Sequence, residues 1–172
     1  DNTKPVMTCQ DATVQLDANG DGTLLVSQVE VSSSDACGIA TKVLSQSTFD
    51  CSEVGANNVV LTITDVNDNA ASCLVSITVK DEVAPTALCN NVEVQLDASG
   101  DGSLTVAEVN NNSSDACGIQ STSISKESFD CSNVGGNTVT LTIVDVNGNT
   151  STCNSTVTVK DEVAPVALCQ SI

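Results

Sequence analysis

The residues with the most distinctive chemistry in this chain are its nine cysteines. Eight of them form two sets of four that share one spacing, 80 residues apart, and Cys169 is left over. An even set of regularly spaced cysteines in a small domain is typical of a disulfide framework, which persists in oxidising compartments. A zinc site is the alternative, but the chain has no His and no CxxC pair. The pattern therefore predicts disulfides in an extracellular protein, within the sets Cys9, Cys37, Cys51 and Cys73, and Cys89, Cys117, Cys131 and Cys153.

A run of oxygen-bearing side chains matches the calcium loop of EF-hand type. In that loop, side chains at positions 1, 3 and 5, a carbonyl at 7 and a carboxylate at 12 surround the cation, and Gly at 6 permits the sharp turn. The second repeat supplies Asp97, Ser99, Asp101, Ser103 and Glu108 at these positions, and the first supplies Asp17, Asn19, Asp21, Thr23 and Gln28. Calcium is therefore the cofactor that we expect. The alternative is an ordinary hairpin turn, because the flanking segments have strand patterns and Asn19-Gly20 is a preferred turn pair.

Composition excludes several classes of function. The chain has no His and no Tyr, so a Ser–His–acid triad is impossible, and it offers no sugar-stacking aromatic cleft for a carboxylate pair. A formal net charge of −17 is opposite to the basic surface that nucleic acids or anionic membranes require. No apolar run reaches the roughly 18 residues of a membrane-spanning helix. We therefore expect no enzyme, no nucleic-acid partner and no membrane insertion.

The hydrophobic pattern predicts short β-strands. Apolar and polar residues alternate with a period of two, and turn residues recur every eight to twelve positions. Asn19-Gly20 predicts a hairpin between the first two strands, and short helical turns remain possible around 27–30 and 107–110. In the first repeat the predicted strands cover 11–17, 23–31, 39–45, 59–66 and 71–80.

Internal repetition sets the predicted domain organisation. Aligning 1–80 with 81–160 gives 41 identities without a gap, and the phrase DEVAP at 81–85 returns at 161–165. The prediction is an all-β chain of tandem, disulfide-bonded, immunoglobulin-like sandwich repeats of 80 residues, at 1–80 and 81–160, with 161–172 opening a third. Either more chain follows this last segment, or it joins another subunit by strand addition, with Cys169 bonding to that subunit.

Two motifs carry a resemblance to a known family. They are Val79-Lys80-Asp81…Pro85…Cys89 at the repeat junction and the run from Asp145 to Asn149 followed by Cys153. The sequence resembles hyalin (HYR) repeats and related immunoglobulin-like repeats of large secreted bacterial surface proteins. The resemblance implies an immunoglobulin-like fold, a tandem arrangement and a role in adhesion or as a stalk.

The resemblance also implies how the cysteines pair. In the family the equivalent cysteines join the first and last strands, which gives Cys9–Cys73 and Cys89–Cys153. The remaining cysteines would then pair across the middle of each repeat, as Cys37–Cys51 and Cys117–Cys131.

The acidic string from Asp65 to Asn69 matches the calcium-binding DxNDN of cadherins. In cadherins the string follows the last strand, whereas here a predicted strand, 71–80, still comes after it. The favoured interpretation is a hairpin turn. An interdomain cation held with the acidic linker residues is the alternative.

We therefore expect an extracellular stalk, filament or adhesin segment whose partners are neighbouring repeats or identical subunits arranged head to tail. The alternative is a carbohydrate- or protein-binding adhesin module with a cell-surface or glycan ligand. A dockerin-type module would need calcium loops about twenty residues apart, and here the candidate loops are 80 apart.

Overall fold

The computed structural model describes residues 1–168 and 170. The chain divides into two compact units, Asp1–Val83 and Ala84–Ile172. Both units contain short strands, one α-helical turn and a final pair of long strands, although the strand pair that opens unit 1 is represented in unit 2 only by isolated bridges.

The elements of the first unit (unit 1) are β1 (Val6–Cys9), β2 (Ala12–Gln15), β3 (Gly22–Thr23), α1 (Val26–Val29), β4 (Glu30–Ser34), β5 (Ile39–Leu44), β6 (Thr48–Phe49), a 3₁₀ turn (Cys51–Glu53), β7 (Gly55–Asp65) and β8 (Ala70–Lys80). Those of the second (unit 2) are β9 (Val92–Gln95), β10 (Gly102–Ser103), α2 (Val106–Val109), β11 (Ile119–Ile124), β12 (Ser128–Phe129), a 3₁₀ turn (Cys131–Asn133), β13 (Gly135–Asp145) and β14 (Thr150–Lys160).

A four-stranded sheet is the larger layer of each unit. In unit 1 its order is β2-β8-β7-β5, where β2 runs parallel to β8 and the other pairs are antiparallel. The pairs β1–β4 and β3–β6 are separate two-stranded ladders. Unit 2 repeats the large sheet as β9-β14-β13-β11. This arrangement is the immunoglobulin-like, all-β fold that the sequence predicts.

The core lies on one face of the long strands. Val59, Leu61 and Ile63 of β7 are completely buried and alternate with more exposed residues, as a half-buried strand requires. In unit 2 the equivalent face packs with Leu104, Val109 and Phe129 into one cluster. Burying each such aliphatic side chain stabilises the fold by about 1.5–3 kcal/mol.

The predicted strand 23–31 is wrong as one continuous element. The helical turn α1 interrupts it, because the backbone N–H of Leu25 donates to Gln28 Oε1 at 2.7 Å and closes the turn. The turn lets Leu24 and Val29 both point into the core, at 1 % and 0 % exposure. The open alternative of a helical turn near 27–30 and 107–110 is therefore what forms, as α1 and α2.

The predicted Asn19-Gly20 hairpin also differs from the structure. The turn itself closes, since Asp17 N donates to Asp21 O at 2.8 Å and Gly20 has a φ of 81°. The chain then pairs with β6 rather than returning along β2, whose hydrogen-bonded neighbour is β8.

Glycine at 102 allows the two layers of unit 2 to approach. A Cβ added there would lie 2.6 Å from Val94 Cγ1 and 3.1 Å from Leu96 Cδ2, both core atoms. We expect Gly102→Ala to lower the free energy of unfolding by about 1–3 kcal/mol, because it overpacks the core. Urea unfolding measures the change. Gly136→Ala is the matched control, since nothing lies within 4 Å of its Cβ position and unit 1 carries Ala56 there. An equal loss in both variants would contradict this explanation.

Candidate functional site

The predicted calcium ligands Asp97, Ser99 and Asp101 lie together in one tight turn. Asp97 Oδ1 accepts hydrogen bonds from the backbone N–H groups of Ser99 at 2.8 Å and Asp101 at 3.1 Å. These bonds, the one from Asp101 first, lower the pKa of Asp97 despite the opposing effect of desolvation. The equivalent carboxylate, Asp17, makes the same bonds to Asn19 and Asp21. The first carboxylate of each predicted loop therefore holds the turn together.

The predicted twelfth ligand, Glu108, is engaged by the helical turn α2. Its Oε2 accepts from the backbone N–H and the hydroxyl of Thr105, both at 2.7 Å, and so caps α2. These two bonds lower the pKa of Glu108, the hydroxyl contributing most. In unit 1 the uncharged Gln28 makes the equivalent cap to Leu25. Since an amide serves as well as a carboxylate, the residue at this position acts as a helix cap.

The seventh position of each predicted loop is part of a β-ladder. Ser103 lies in β10 opposite Ser128, and Thr23 lies in β3 opposite Thr48. Among the described residues, the carboxylate and thiol clusters that could hold a metal ion do not combine Asp97 or Asp17 with Glu108 or any other predicted ligand. Calcium binding by the predicted loop stays a prediction.

The DxNDN string forms the turn between the two long strands. Asp65 is fully buried, and its Oδ1 accepts from the backbone N–H groups of Asn67 at 2.8 Å and Asn69 at 2.9 Å, while Oδ2 accepts from Asn69 Nδ2 at 2.8 Å. Burial alone would raise the pKa of Asp65, but these hydrogen bonds, led by the one from the Asn69 side chain, lower it. Asp145 makes the same three bonds in unit 2. The interpretation of this string as a hairpin turn agrees with the structure.

A disulfide joins the beginning and end of each unit. Cys9 of β1 is bonded to Cys73 of β8 with a Cα–Cα distance of 6.5 Å, and Cys89 is bonded to Cys153 of β14 at 5.9 Å. These are the pairs that the resemblance implies. Each closes a loop with a sequence separation of 64 residues.

The other implied pairs, Cys37–Cys51 and Cys117–Cys131, do not form. Cys37 and Cys131 are free, exposed thiols, whereas Cys51 and Cys117 are disulfide-bonded. The reason is distance along the long strand. Cys37 lies beside the last residue of β7, where Val66 N donates to Gly38 O at 3.2 Å, and Cys51 lies just before the first.

Eleven strand residues therefore separate the two positions, roughly 30 Å at about 3.3 Å per residue. A disulfide needs Cα atoms within about 7 Å. The equivalent strand β13 separates Cys117 from Cys131 in the same way. Cys169, expected to be unpaired within the sequence, lies outside the described residues.

One cluster escaped the sequence reasoning. Ligand atoms of Asp1, Asp35 and Cys37 lie within 4.8 Å of one another. The sequence signal that could have revealed the cluster is Asp35, two residues before Cys37. Its Oδ1 accepts a hydrogen bond from the Cys37 backbone N–H at 2.8 Å. Asp1 could not be assigned to the cluster from the sequence because it is far from Cys37 along the chain. In the structure it lies at the same end of the unit, where Asn69 Nδ2 donates to its carbonyl oxygen.

The fold, the first-to-last-strand disulfide and the long-strand turn together bear on the family. Residues 1–79 match the family model of the HYR domain. The first unit is therefore similar to HYR domains. No curated protein matches the chain. Within the described residues, no helix has the length and apolar character needed to cross a membrane.

Solved structures are similar to the chain at low identity and low TM-score. The four-domain extracellular cadherin fragment of protocadherin gamma B7 is 14 % identical, with a TM-score of 0.39, over 91 % of this chain and 51 % of that one. This chain therefore spans about half the length of that fragment. Human mucin-like protocadherin EC1-2 is 14 % identical (TM-score 0.36, 91 % and 100 % covered). The fibronectin(III)-like modules of Clostridium thermocellum CbhA are 13 % identical (TM-score 0.32, 97 % and 100 % covered).

The Asp65 network of unit 1 should be visible in the pH dependence of stability. The pKa of Asp65 is lower in the folded state, so its contribution is present above the unfolded value of about 4 and is lost as pH falls through the folded value. We expect Asp65→Asn to lower the melting temperature by about 5–10 °C at pH 7, because its amide would face the Asn69 amide, donor against donor. The variant should also lose less stability than the wild type between about pH 4 and pH 2.

Asp68→Gly is the control for this measurement. Asp68 has a φ of 67° and the equivalent residue in unit 2 is Gly148, so the substitution relieves backbone strain and leaves the Asp65 bonds in place. Calorimetry across pH should show the wild-type acid dependence in Asp68→Gly. The same flattened profile in both variants would mean that Asp65 is not its origin.

The Cys9–Cys73 disulfide should dominate the stability of unit 1. We expect the double variant Cys9→Ala/Cys73→Ala to lose about 4 kcal/mol of unfolding free energy, the chain-entropy value for a loop of this length. Chemical denaturation with two transitions resolved measures it. Cys37→Ser, which removes an exposed free thiol, should change stability by less than about 0.5 kcal/mol. A comparable loss in Cys37→Ser would refute this difference in role.

Proposed function

We propose that the protein is a structural segment of an extracellular stalk, filament or adhesin, in which HYR-type repeats follow one another head to tail. The HYR match at residues 1–79 and the 41 identities between 1–80 and 81–160 support this proposal. Residues 81–160 would then be a second repeat of the same kind, and 161–172 the beginning of a third. The role is mechanical, with no catalytic step.

The observation that carries the proposal is where the chain enters and leaves unit 1. Asp1 lies beside Asn69, in the turn between β7 and β8, and we call this end the amino pole. Lys80 closes β8 at the other end, where its carbonyl accepts from Leu16 N at 2.9 Å, and we call this the carboxyl pole. Domain termini are often close together, but here the length of β8 separates them. A unit with termini at opposite poles lengthens a chain with each added copy.

The chemistry of the surface and the cysteines supports an extracellular location. Structural disulfides form and persist in oxidising compartments. A net charge of −17 favours solubility and makes identical repeats repel one another. The partners under this proposal are neighbouring repeats, in the same chain or in identical subunits.

Protein binding by the outer face of unit 1 is a second candidate function. Val43 and Leu74 are 58 % and 66 % exposed, and the equivalent positions of unit 2 hold the polar residues Ser123 and Asn154. An apolar patch present in one repeat only favours a specific contact over a uniform spacer. Glycan binding has less support, because the two aromatic side chains of the chain, Phe49 and Phe129, are both buried and cannot stack on a sugar.

Electron microscopy and electrophoresis of native material test the structural role. We expect extended fibres with a repeating subunit in negative stain, and material much larger than 17.5 kDa on a denaturing gel without reductant. A discrete monomer of this size under those conditions would overturn the proposal. For the second candidate, Leu74→Asn and Val43→Ser transfer the unit 2 surface to unit 1 and should abolish capture of a protein partner without altering fibre length.

Calcium stabilisation stays a prediction from the sequence, and the cap at Glu108 sharpens its test. A calcium loop predicts that EDTA lowers the melting temperature and that Glu108→Gln removes this response. The hydrogen bonds of Glu108 predict otherwise. We expect Glu108→Gln to stay within about 0.5 kcal/mol of wild type, with or without calcium, because Gln28 makes the same cap.

Differential scanning calorimetry with EDTA and with added calcium decides between the two outcomes. Thr105→Ala is the control, since it removes the hydroxyl that shares the Glu108 carboxylate but leaves the predicted loop ligands intact. A calcium-dependent rise in melting temperature that Glu108→Gln abolishes would establish the loop.

A further inference from the structure

Each unit holds one cysteine at either pole in addition to its internal disulfide. At the amino pole these are Cys37 in unit 1 and Cys117 in unit 2, each one residue before a glycine that accepts from the turn of the long strands. At the carboxyl pole they are Cys51 and Cys131, each beginning the 3₁₀ turn before the long strand. We call them amino-pole and carboxyl-pole cysteines.

The amino-pole cysteine and the carboxyl-pole cysteine of one unit cannot bond to each other. The eleven residues of β7, or of β13, lie between them, whereas a disulfide spans about 7 Å between Cα atoms. Yet both kinds of position form disulfides in this chain, since Cys51 at a carboxyl pole and Cys117 at an amino pole are both bonded. One cysteine of each kind is left as an exposed free thiol, Cys37 at an amino pole and Cys131 at a carboxyl pole.

Cys131 lies beside the segment that leaves unit 2. Its sulfur lies 3.9 Å from the carbonyl oxygen of Gly100, and a cleft beside it is lined by residues of the segment leaving the unit, among them Asp161, Val163 and Pro165. These residues repeat the Asp81, Val83 and Pro85 of the preceding junction. A repeat joined to this segment would begin at the pole where Cys131 is exposed.

We propose that Cys131 forms a disulfide with the amino-pole cysteine of the repeat that follows, so that unit 2 and that repeat are covalently linked. When that repeat belongs to a second copy of this chain, the partner is the Cys37 of that copy. The proposal rests on the head-to-tail arrangement proposed above and names the residues that lock it.

The bond forms by thiol–disulfide exchange with a small-molecule disulfide such as oxidised glutathione. The Cys131 thiolate attacks one glutathione sulfur, which gives a mixed disulfide and releases one reduced glutathione. The amino-pole thiolate then attacks the Cys131 sulfur and releases the second. Two protein thiols are oxidised to one disulfide, one glutathione disulfide is reduced to two thiols, and the two protons pass to the glutathione thiolates.

The test uses the full chain with Cys169→Ser, which removes the cysteine that lies outside the described residues. After incubation with oxidised glutathione, non-reducing denaturing electrophoresis should show a ladder of dimers, trimers and larger species that collapses to monomer with reductant. Adding Cys37→Ser or Cys131→Ser to this background should remove every band above the monomer. Each variant lacks one of the two thiols that a head-to-tail bond requires.

Mixing the two single variants, one carrying a mass tag, provides the decisive measurement. The free Cys131 of one and the free Cys37 of the other should give the mixed dimer and nothing larger. Peptide mapping should recover the Cys37–Cys131 linkage. Dimers formed by either variant alone, or no ladder from the parent chain, would overturn the proposal.

Native material separates the failure of this inference from that of the proposed function. Fibres whose junction peptides contain Cys131 as a free thiol would refute the proposed disulfide and leave the structural role standing. Absence of fibres would refute the structural role itself. Reduction then identifies the source of the following repeat, since a continuous chain stays large and linked copies collapse to 17.5 kDa.

Discussion

The paired long strands, β7–β8 and β13–β14, are the element on which the remainder of each unit depends. Ten consecutive cross-strand pairs, from Gly55↔Val79 to Thr64↔Ala70, fix the register of β7 against β8. This register places Val59, Leu61 and Ile63 on one face, where the short strands and the helical turn supply the other side of the core. Its length sets the distance between the poles, which is why cysteines 14 residues apart in sequence lie at opposite ends of the unit.

Several aspartate side chains in this protein accept hydrogen bonds from nearby backbone N–H groups. Asp17, Asp50 and Asp65 each accept hydrogen bonds from backbone N–H groups two to four residues later, and Asp97 and Asp130 repeat the pattern in unit 2. Turns that would otherwise leave donors unpaired are closed by a carboxylate in the sequence itself. Because the chain has two aromatic residues and a thin core, these contacts help to fix the conformation of its turns. Spacings that look like ligand sets therefore have a structural explanation in the described residues.

Sequence reasoning identified the fold because period-two alternation and the 80-residue repeat are direct consequences of half-buried strands in copied domains. The strand at 59–66 and its partner at 71–80 were predicted within a few residues, since each alternates without interruption. The segment 23–31 misled because its apolar residues suit a strand equally well, and only the cap from Gln28 to Leu25 turns the chain. Pairing Cys37 with Cys51 failed for a geometric reason. The resemblance assigned Cys9 to Cys73 and left these two cysteines to pair, but the intervening chain runs along β5 before the 3₁₀ turn.

The site was harder to predict than the fold because oxygen-rich turns have more than one use. Asp97, Ser99 and Asp101 were correctly expected to share a turn, but the twelfth position is fixed by a contact three residues away, with Thr105. Whether Glu108 caps the helical turn depends on its side-chain rotamer, which the spacing of residues in the sequence does not predict. The thiols at the poles emerged only once the length of the long strands was known.

The Cys9–Cys73 bond has a consequence for a chain held in tension. A pull on the two ends of unit 1 passes along residues 1–9, crosses the sulfur bridge and leaves along 73–80, so the residues between the two cysteines carry no load. The parallel hydrogen bonds between β2 and β8 lie against the loaded part of β8 and oppose its withdrawal in shear, all at once, instead of opening one by one. Such a unit behaves as a nearly inextensible link: force that would unravel an unbridged sandwich can lengthen this one only by straightening its two short ends.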